Sequence, residues 1–105
     1  MTTNIPTGAG PTNDVLRNLL LEATERGLVA DIDEHLGCLN CEDPAGRLIF
    51  IGNVDGPWRV DVYPNLDAAL DGRPPTESDD LQGFTAATMF AHALQVAGRV
   101  ATEGR

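Results

Sequence analysis

A chain of 105 residues with an ordinary hydrophobic share has room for one modest core, and no apolar run approaches the roughly 18 to 20 residues of a membrane-spanning helix. The net charge is −9, and the seven basic residues are all Arg. That balance argues against direct nucleic-acid binding, which needs clustered Lys or Arg. It leaves open a basic protein partner or imitation of a nucleic-acid surface.

Lack of Lys beside plentiful Ala, Gly and Arg is the composition of a high-GC genome, such as that of an actinobacterium or one of its phages. The opening MTTNIPTGAGPTN has neither a basic n-region nor an apolar core. It reads as a flexible leader over 1–10 rather than a signal peptide, so a cytoplasmic location is the default expectation. Residues 11–105 read as a single α+β domain.

In chain order, a helix is expected from Thr12 or Asn13, either of which can cap it, with Leu16, Leu19, Leu20 and Ala23 as its apolar stripe. Gly27 suits a left-handed stop. Leu28, Ala30 and Ile32 then alternate with Val29, Asp31 and Asp33, the pattern of a half-buried strand. After a turn at 34–37, residues 38–42 read as a second strand with Leu39 and Cys41 facing inward. Asp43-Pro44-Ala45-Gly46 is a type I turn pattern. The next strand, Arg47 to Asn53, is apolar on both faces, Leu48 and Phe50 on one and Ile49 and Ile51 on the other.

Asn53-Val54-Asp55-Gly56 turns the chain into a fourth strand, where Trp58, Val60 and Val62 alternate with Arg59, Asp61 and Tyr63. Trp58 and Phe50 are both expected in the core. Asn65 caps a short helical turn over 66–70, and Pro74-Pro75 lead into a long final helix. Thr76 or Ser78 would cap that helix, with Asp79 and Asp80 in its first turn. The expected fold is therefore a small antiparallel meander of three or four strands, flanked by an N-terminal amphipathic helix and a long C-terminal helix.

The polar positions of the final helix, Thr88, His92, Gln95 and Arg99, form one narrow stripe. Most of its circumference is apolar, and so are both faces of the third strand. Helices on opposite faces of the sheet would bury both, and so would a homodimer. Phe84, Ala87, Ala91 and Leu94 are assigned to the sheet, and Met89, Ala93, Val96 and Val100 to a contact with a second copy.

No motif fixes a chemistry. Cys38-Leu39-Asn40-Cys41 is a CxxC, but zinc needs four ligands and a redox site a helix N-terminus. Residues three apart on a strand point to opposite faces, so the expectation is reduced, metal-free thiols. Asp31, Asp33 and Glu42 match positions 1, 3 and 12 of a calcium loop, yet Leu36 stands where its sharp turn needs Gly. His35 and His92 accompany no nucleophile elbow, phosphate loop or HExxH. No cofactor is implied, and the chain reads as non-catalytic.

The acids themselves are patterned. Asp31, Asp33, Glu42 and Asp61 take outward positions on the expected strands, giving a negative sheet face or rim. Such a face either keeps the sheet soluble or docks a basic partner. The stretch GLVADIDEHLGCLNCED resembles the paired early strands of bacterial secretion chaperones. The order helix, meander, helix, with small size and acidity, is similar to the general plan of those chaperones and of several toxin-immunity proteins. The full chaperone topology has further strands after the second helix, which this pattern lacks.

Three functions fit the pattern. The first is a small acidic protein-binding module, the chaperone, adaptor or inhibitor of one partner bearing a basic patch, in a bacterial or phage accessory role. The second is a nucleic-acid mimic that blocks a DNA-binding enzyme. The third is a small enzyme or ligand binder with a pocket between sheet and final helix around Trp58, Tyr63 and His92.

Overall fold

Short turns with strong local signals dictate a meander, and the computed structural model shows one. It describes residues 10–53, 57–81 and 85–100. The elements are α1 (Gly10–Glu25), β1 (Val29–Asp33), β2 (Cys38–Glu42), β3 (Leu48–Gly52), β4 (Arg59–Tyr63), α2 (Leu66–Leu70), β5 (Glu77–Asp80) and α3 (Ala86–Ala97). The strands form one antiparallel sheet in the order β1-β2-β3-β4-β5. The architecture is α+β, with five strands where the sequence pattern suggested three or four.

Helix α1 is already helical at Gly10, the last residue of the expected leader, so Thr12 and Asn13 lie inside it rather than at its cap; residues 1–9 of that leader are outside the described residues. Leu16, Leu19 and Ala23 are its buried stripe. It ends as the glycine signal requires. Gly27 has φ +82°, its N–H donates to Thr24 O at 3.0 Å, and Leu28 N–H donates to Ala23 O at 3.0 Å. That pair of bonds satisfies the last carbonyls of the helix.

Carboxylates shape the two hairpin turns that follow. Asp33 Oδ1 accepts from the N–H groups of His35 and Leu36 at 3.0 and 3.1 Å. Asp43 Oδ1 accepts from those of Ala45 and Arg47 at 3.0 and 2.9 Å. Gly46 closes the second turn with φ +92°. Of the expected turn at 53–56, residues 54–56 lie outside the described residues. Asn65 caps α2 as its sequence implies, Oδ1 accepting from Ala68 N–H at 2.9 Å.

Both α1 and α3 pack on the same face of the sheet, α1 over β1 and β2, α3 over β3, β4 and β5, and the two helices touch. The core lies between these layers. Leu39, Cys41, Ile49, Ile51, Val60 and Val62 from the strands meet Leu16, Leu19, Phe90, Ala93 and Val96 from the helices. The two long helices thus do not take opposite faces, which was one of the two arrangements the sequence pattern left open. Phe50 consequently stands on the uncovered side and is only half-buried. Trp58 is half-buried too, but it packs against the core cluster.

The final helix differs from the expectation in start and orientation. It begins at Ala86, and its cap is Thr85, whose hydroxyl accepts from Thr88 N–H at 3.1 Å while Thr88 Oγ1 accepts from Thr85 N–H at 3.2 Å. Residues 77–80, read from sequence as its first turn, are the edge strand β5. Thr76 N–H to Val62 O at 2.9 Å and Leu81 N–H to Trp58 O at 2.7 Å extend the ladder beyond both ends of that strand.

The two apolar arcs of α3 are reversed relative to the expectation. Met89, Ala93, Val96 and Val100, assigned to a second copy, are buried in this chain's own core. Ala87 and Ala91 are exposed and Leu94 is half-buried, while Phe84 lies outside the described residues. Bulk decides the orientation, because Val, Met and the neighbouring Phe90 bury far more apolar area than alanines do. The four residues therefore have no free surface to offer another copy.

Polar contacts also fix α3 on the sheet. Arg47, at the start of β3, donates from Nη1 to the carbonyls of Ala97 and Val100 at the helix C-terminus. There a cation also complements the helix dipole. Its Nε lies 3.0 Å from Asp43 Oδ2, near enough for charge attraction although not aligned as a hydrogen bond. At the other edge, His92 Nε2 and Asp79 Oδ2 of β5 are 2.9 Å apart.

The His92 hydrogen bond holds the Asp79 carboxyl below its ordinary range, with a smaller contribution from Asp80 N–H. A carboxyl depressed on folding adds stability above its unfolded pKa, and that contribution is lost as pH falls through the folded value. Asp79→Asn should therefore have a lower urea midpoint than the parent at neutral pH, with the gap closing below about pH 4. Urea titrations across that range check it, and a gap that persists undiminished to about pH 3 would contradict it.

Candidate functional site

With α1 and α3 on one side, neither covers the other face of the sheet, and strand register specifies what that face carries. Alternate residues of each strand share a face. Three cross-strand rows result on the open side: Val29, Glu42, Leu48, Tyr63; then Asp31, Asn40, Phe50, Asp61, Ser78; then Asp33, Cys38, Gly52, Arg59, Asp80. The four acids singled out from the sequence, Asp31, Asp33, Glu42 and Asp61, all stand on this one face. Asp80 joins them.

The centre of the face is apolar. Leu48 is 8% exposed although it lies outside the main core cluster. Phe50 meets Tyr63 edge to face, with ring centroids 5.4 Å apart and planes at 60°. At Gly52 any Cβ would come within 3.0 Å of Cys38 Cβ, so glycine keeps this part of the floor low.

Two hollows meet at Asn40 and Phe50. The larger, of about 560 Å³, is lined by Leu36, Cys38, Gly52, Pro57, Arg59 and the carboxylates of Asp33, Asp61 and Asp80. The smaller, of about 320 Å³, has Val29, Leu48 and Leu66 about it, with Asp31 and Glu42. Val29 is 73% exposed, Leu36 62% and Leu66 53%, so large apolar side chains flank both hollows in contact with solvent.

The charges differ between the two. In the larger hollow, Asp61 Oδ1 accepts from Ser78 Oγ at 2.6 Å and lies 3.6 Å from Arg59 Nε. Asp33 is engaged by its own turn. In the smaller, neither Asp31 nor Glu42 has a side-chain hydrogen bond or ion pair among the described residues. Arg59 is the one cation in the three rows, against five carboxylates.

Several sequence candidates separate in space. Cys38 is on the open face and Cys41 on the helix face, so the pair cannot chelate one ion or bridge in this fold. Burial pushes the Cys41 thiol up to about 12, and burial followed by the Asp33 charge raises Cys38. The calcium-like spacing is spread over a hairpin, with Glu42 paired to Val29 at the far end from Asp33. The pocket expected around Trp58, Tyr63 and His92 is absent as a unit, because Trp58 and His92 are on the helix side and Tyr63 on the open side.

Sequence reasoning missed Asp80, read as helical, and Leu66 of α2. It placed Phe50 in the core, although the double-sided apolar pattern of β3 already marked Leu48 and Phe50 as sharing a face. Comparison with known protein families, curated proteins and solved structures finds no match to this chain. Among the described residues, no helix is long and apolar enough to cross a membrane.

Thiolates, not thiols, are alkylated, so both raised pKa values slow the reaction. Iodoacetamide at about pH 8 should modify Cys38 more slowly than a free thiol and leave Cys41 unmodified until denaturant is added. Peptide mass spectrometry reads this directly. Equal labelling of the two cysteines in the native protein would contradict their placement.

Proposed function

We propose that this chain is a protein-binding module whose open sheet face docks a basic segment of another protein. One observation carries the reading: an apolar, concave sheet face bounded by Asp31, Asp33, Glu42, Asp61 and Asp80. Large apolar side chains left in solvent mark interaction sites when they cluster. Carboxylates around them select a positively charged partner, raise the encounter rate and disfavour acidic competitors.

The arrangement supports this reading over the alternatives. Carboxylates that imitate nucleic acid need a long ridge with phosphate-like spacing, whereas these surround a hollow. Carboxylates that only keep a sheet soluble need no exposed Val29, Leu36 and Leu66 beside them. A second copy would bring the same negative face against itself. Chaperone, adaptor and inhibitor roles share this docking step.

Panning a random peptide display library against the chain at low salt tests the proposal. Enriched peptides should carry Arg or Lys well above library frequency. They should lose affinity for Asp31→Asn/Asp33→Asn, and added salt should lower the on-rate more than it raises the off-rate. Asn preserves the turn-capping oxygen at position 33, so the fold should survive, as far-UV circular dichroism would show. Enriched peptides with no basic excess, or with unchanged affinity for the double variant, would reduce the acids to a solvated surface.

A further inference from the structure

The two hollows differ in what they lack, and that difference specifies the occupant. Resting on the reading above, we infer that the bound element is an extended segment that seats an Arg side chain in the smaller hollow and a bulky apolar side chain in the larger, two to four residues away.

The smaller hollow fits Arg. Asp31 and Glu42 are on neighbouring strands in adjacent rows, a diagonal pair about 5 to 8 Å apart at their Cβ atoms. Neither is neutralised by a side chain among the described residues. A planar guanidinium has donors on two sides and can bridge two carboxylates, which the point charge of Lys does less well. The same hollow is lined by the exposed side chains of Val29 and Leu66, against which the three methylenes of an Arg stem can rest while its head meets the carboxylates.

The larger hollow fits an apolar group. Its Asp33 and Asp61 are already engaged by the turn, Ser78 and Arg59, and Arg59 would repel a second cation. What it offers instead is Leu36, Pro57 and the Phe50 ring over the low floor at Gly52. An aromatic or large aliphatic side chain can cover these while Asp80 remains in solvent.

Geometry then sets the spacing. The hollows share Asn40 and Phe50 of the middle row, from which the smaller extends to the first row and the larger to the third. Rows are two residues apart along a strand, so seats about 7 to 13 Å apart match side chains two to four positions apart in an extended chain. A small free cation would fill one seat only, and a second copy of this chain would meet like charge.

The test uses acetylated, amidated Ser/Thr peptides of about eight residues carrying one Arg and one Trp, separated by two, three or four positions. Controls carry Arg alone, Trp alone, or are replaced by argininamide. Binding is followed by nuclear magnetic resonance titration of the full chain. At least one spacing should bind about tenfold tighter than either single-residue peptide. Its Arg should shift the amides around Asp31, Glu42 and Leu48, and its Trp those around Leu36, Phe50 and Gly52. Glu42→Gln should weaken Arg-containing peptides severalfold and leave the Trp-only peptide unchanged.

The inference is overturned if argininamide binds as well as the best peptide, if no spacing exceeds the single-residue peptides, or if Glu42→Gln has no effect. It is also overturned if the open-face amides respond to protein concentration alone, which would make a second copy the occupant. Basic library peptides that bind the open face without regard to spacing or Glu42 would overturn this inference and leave the general docking reading intact. Failure of basic peptides to reach that face at all would remove both.

Discussion

The structure depends on both long helices covering the same side of a sheet whose central strand is apolar on two sides. Ile49 and Ile51 of β3 disappear beneath α1 and α3 at 0% exposure. Leu48 and Phe50, from the same strand, are carried to the other side by the pleat. Neither α1 nor α3 covers that side, where only Leu66 of the short helix α2 approaches, so Phe50 stays half-buried at the centre of the open face. The site is thus a direct result of how the layers are arranged.

The way α3 is held explains why it cannot also guard the open face. Arg47 ties its C-terminal carbonyls to the start of β3, and the His92–Asp79 pair ties its flank to the edge strand β5. Glu77, two residues before Asp79, faces the helix side as well and lies 3.9 Å from Arg99. Strand β5 therefore turns Glu77 and Asp79 toward α3 and leaves Ser78 and Asp80 for the open side. One short acidic strand serves both as the helix's rim and as part of the site's boundary.

Much of this was legible in the sequence, because local signals and alternation survive into the fold. Gly27 as a stop, Asn65 as a cap, the inward pair Leu39 and Cys41, and the outward Asp31, Asp33, Glu42 and Asp61 follow from period and turn chemistry. Other features were hidden for physical reasons. Glu77-Ser78-Asp79-Asp80 has no apolar alternation, and acids after a Ser look like a helix start. Only pairing with β4 makes it a strand. Both arcs of α3 are apolar, so periodicity alone could not say which one faced the sheet. Side-chain volume was the better guide. Phe50 looked like core because sequence shows that a strand has two apolar faces and not how many layers cover them.

Among the described residues, α1 and α3 cover one face of the sheet and leave Phe50 and Tyr63 on the other in partial contact with solvent. A soluble, neutral gadolinium complex added to the unmodified protein tests this arrangement most directly, through paramagnetic broadening of side-chain proton signals. The account predicts strong broadening of the Phe50 and Tyr63 rings and little effect on the methyl groups of Ile49, Ile51, Val60 and Val62. Rings of Phe50 and Tyr63 as well protected as those methyls would contradict it, because the face described as open would then already be covered.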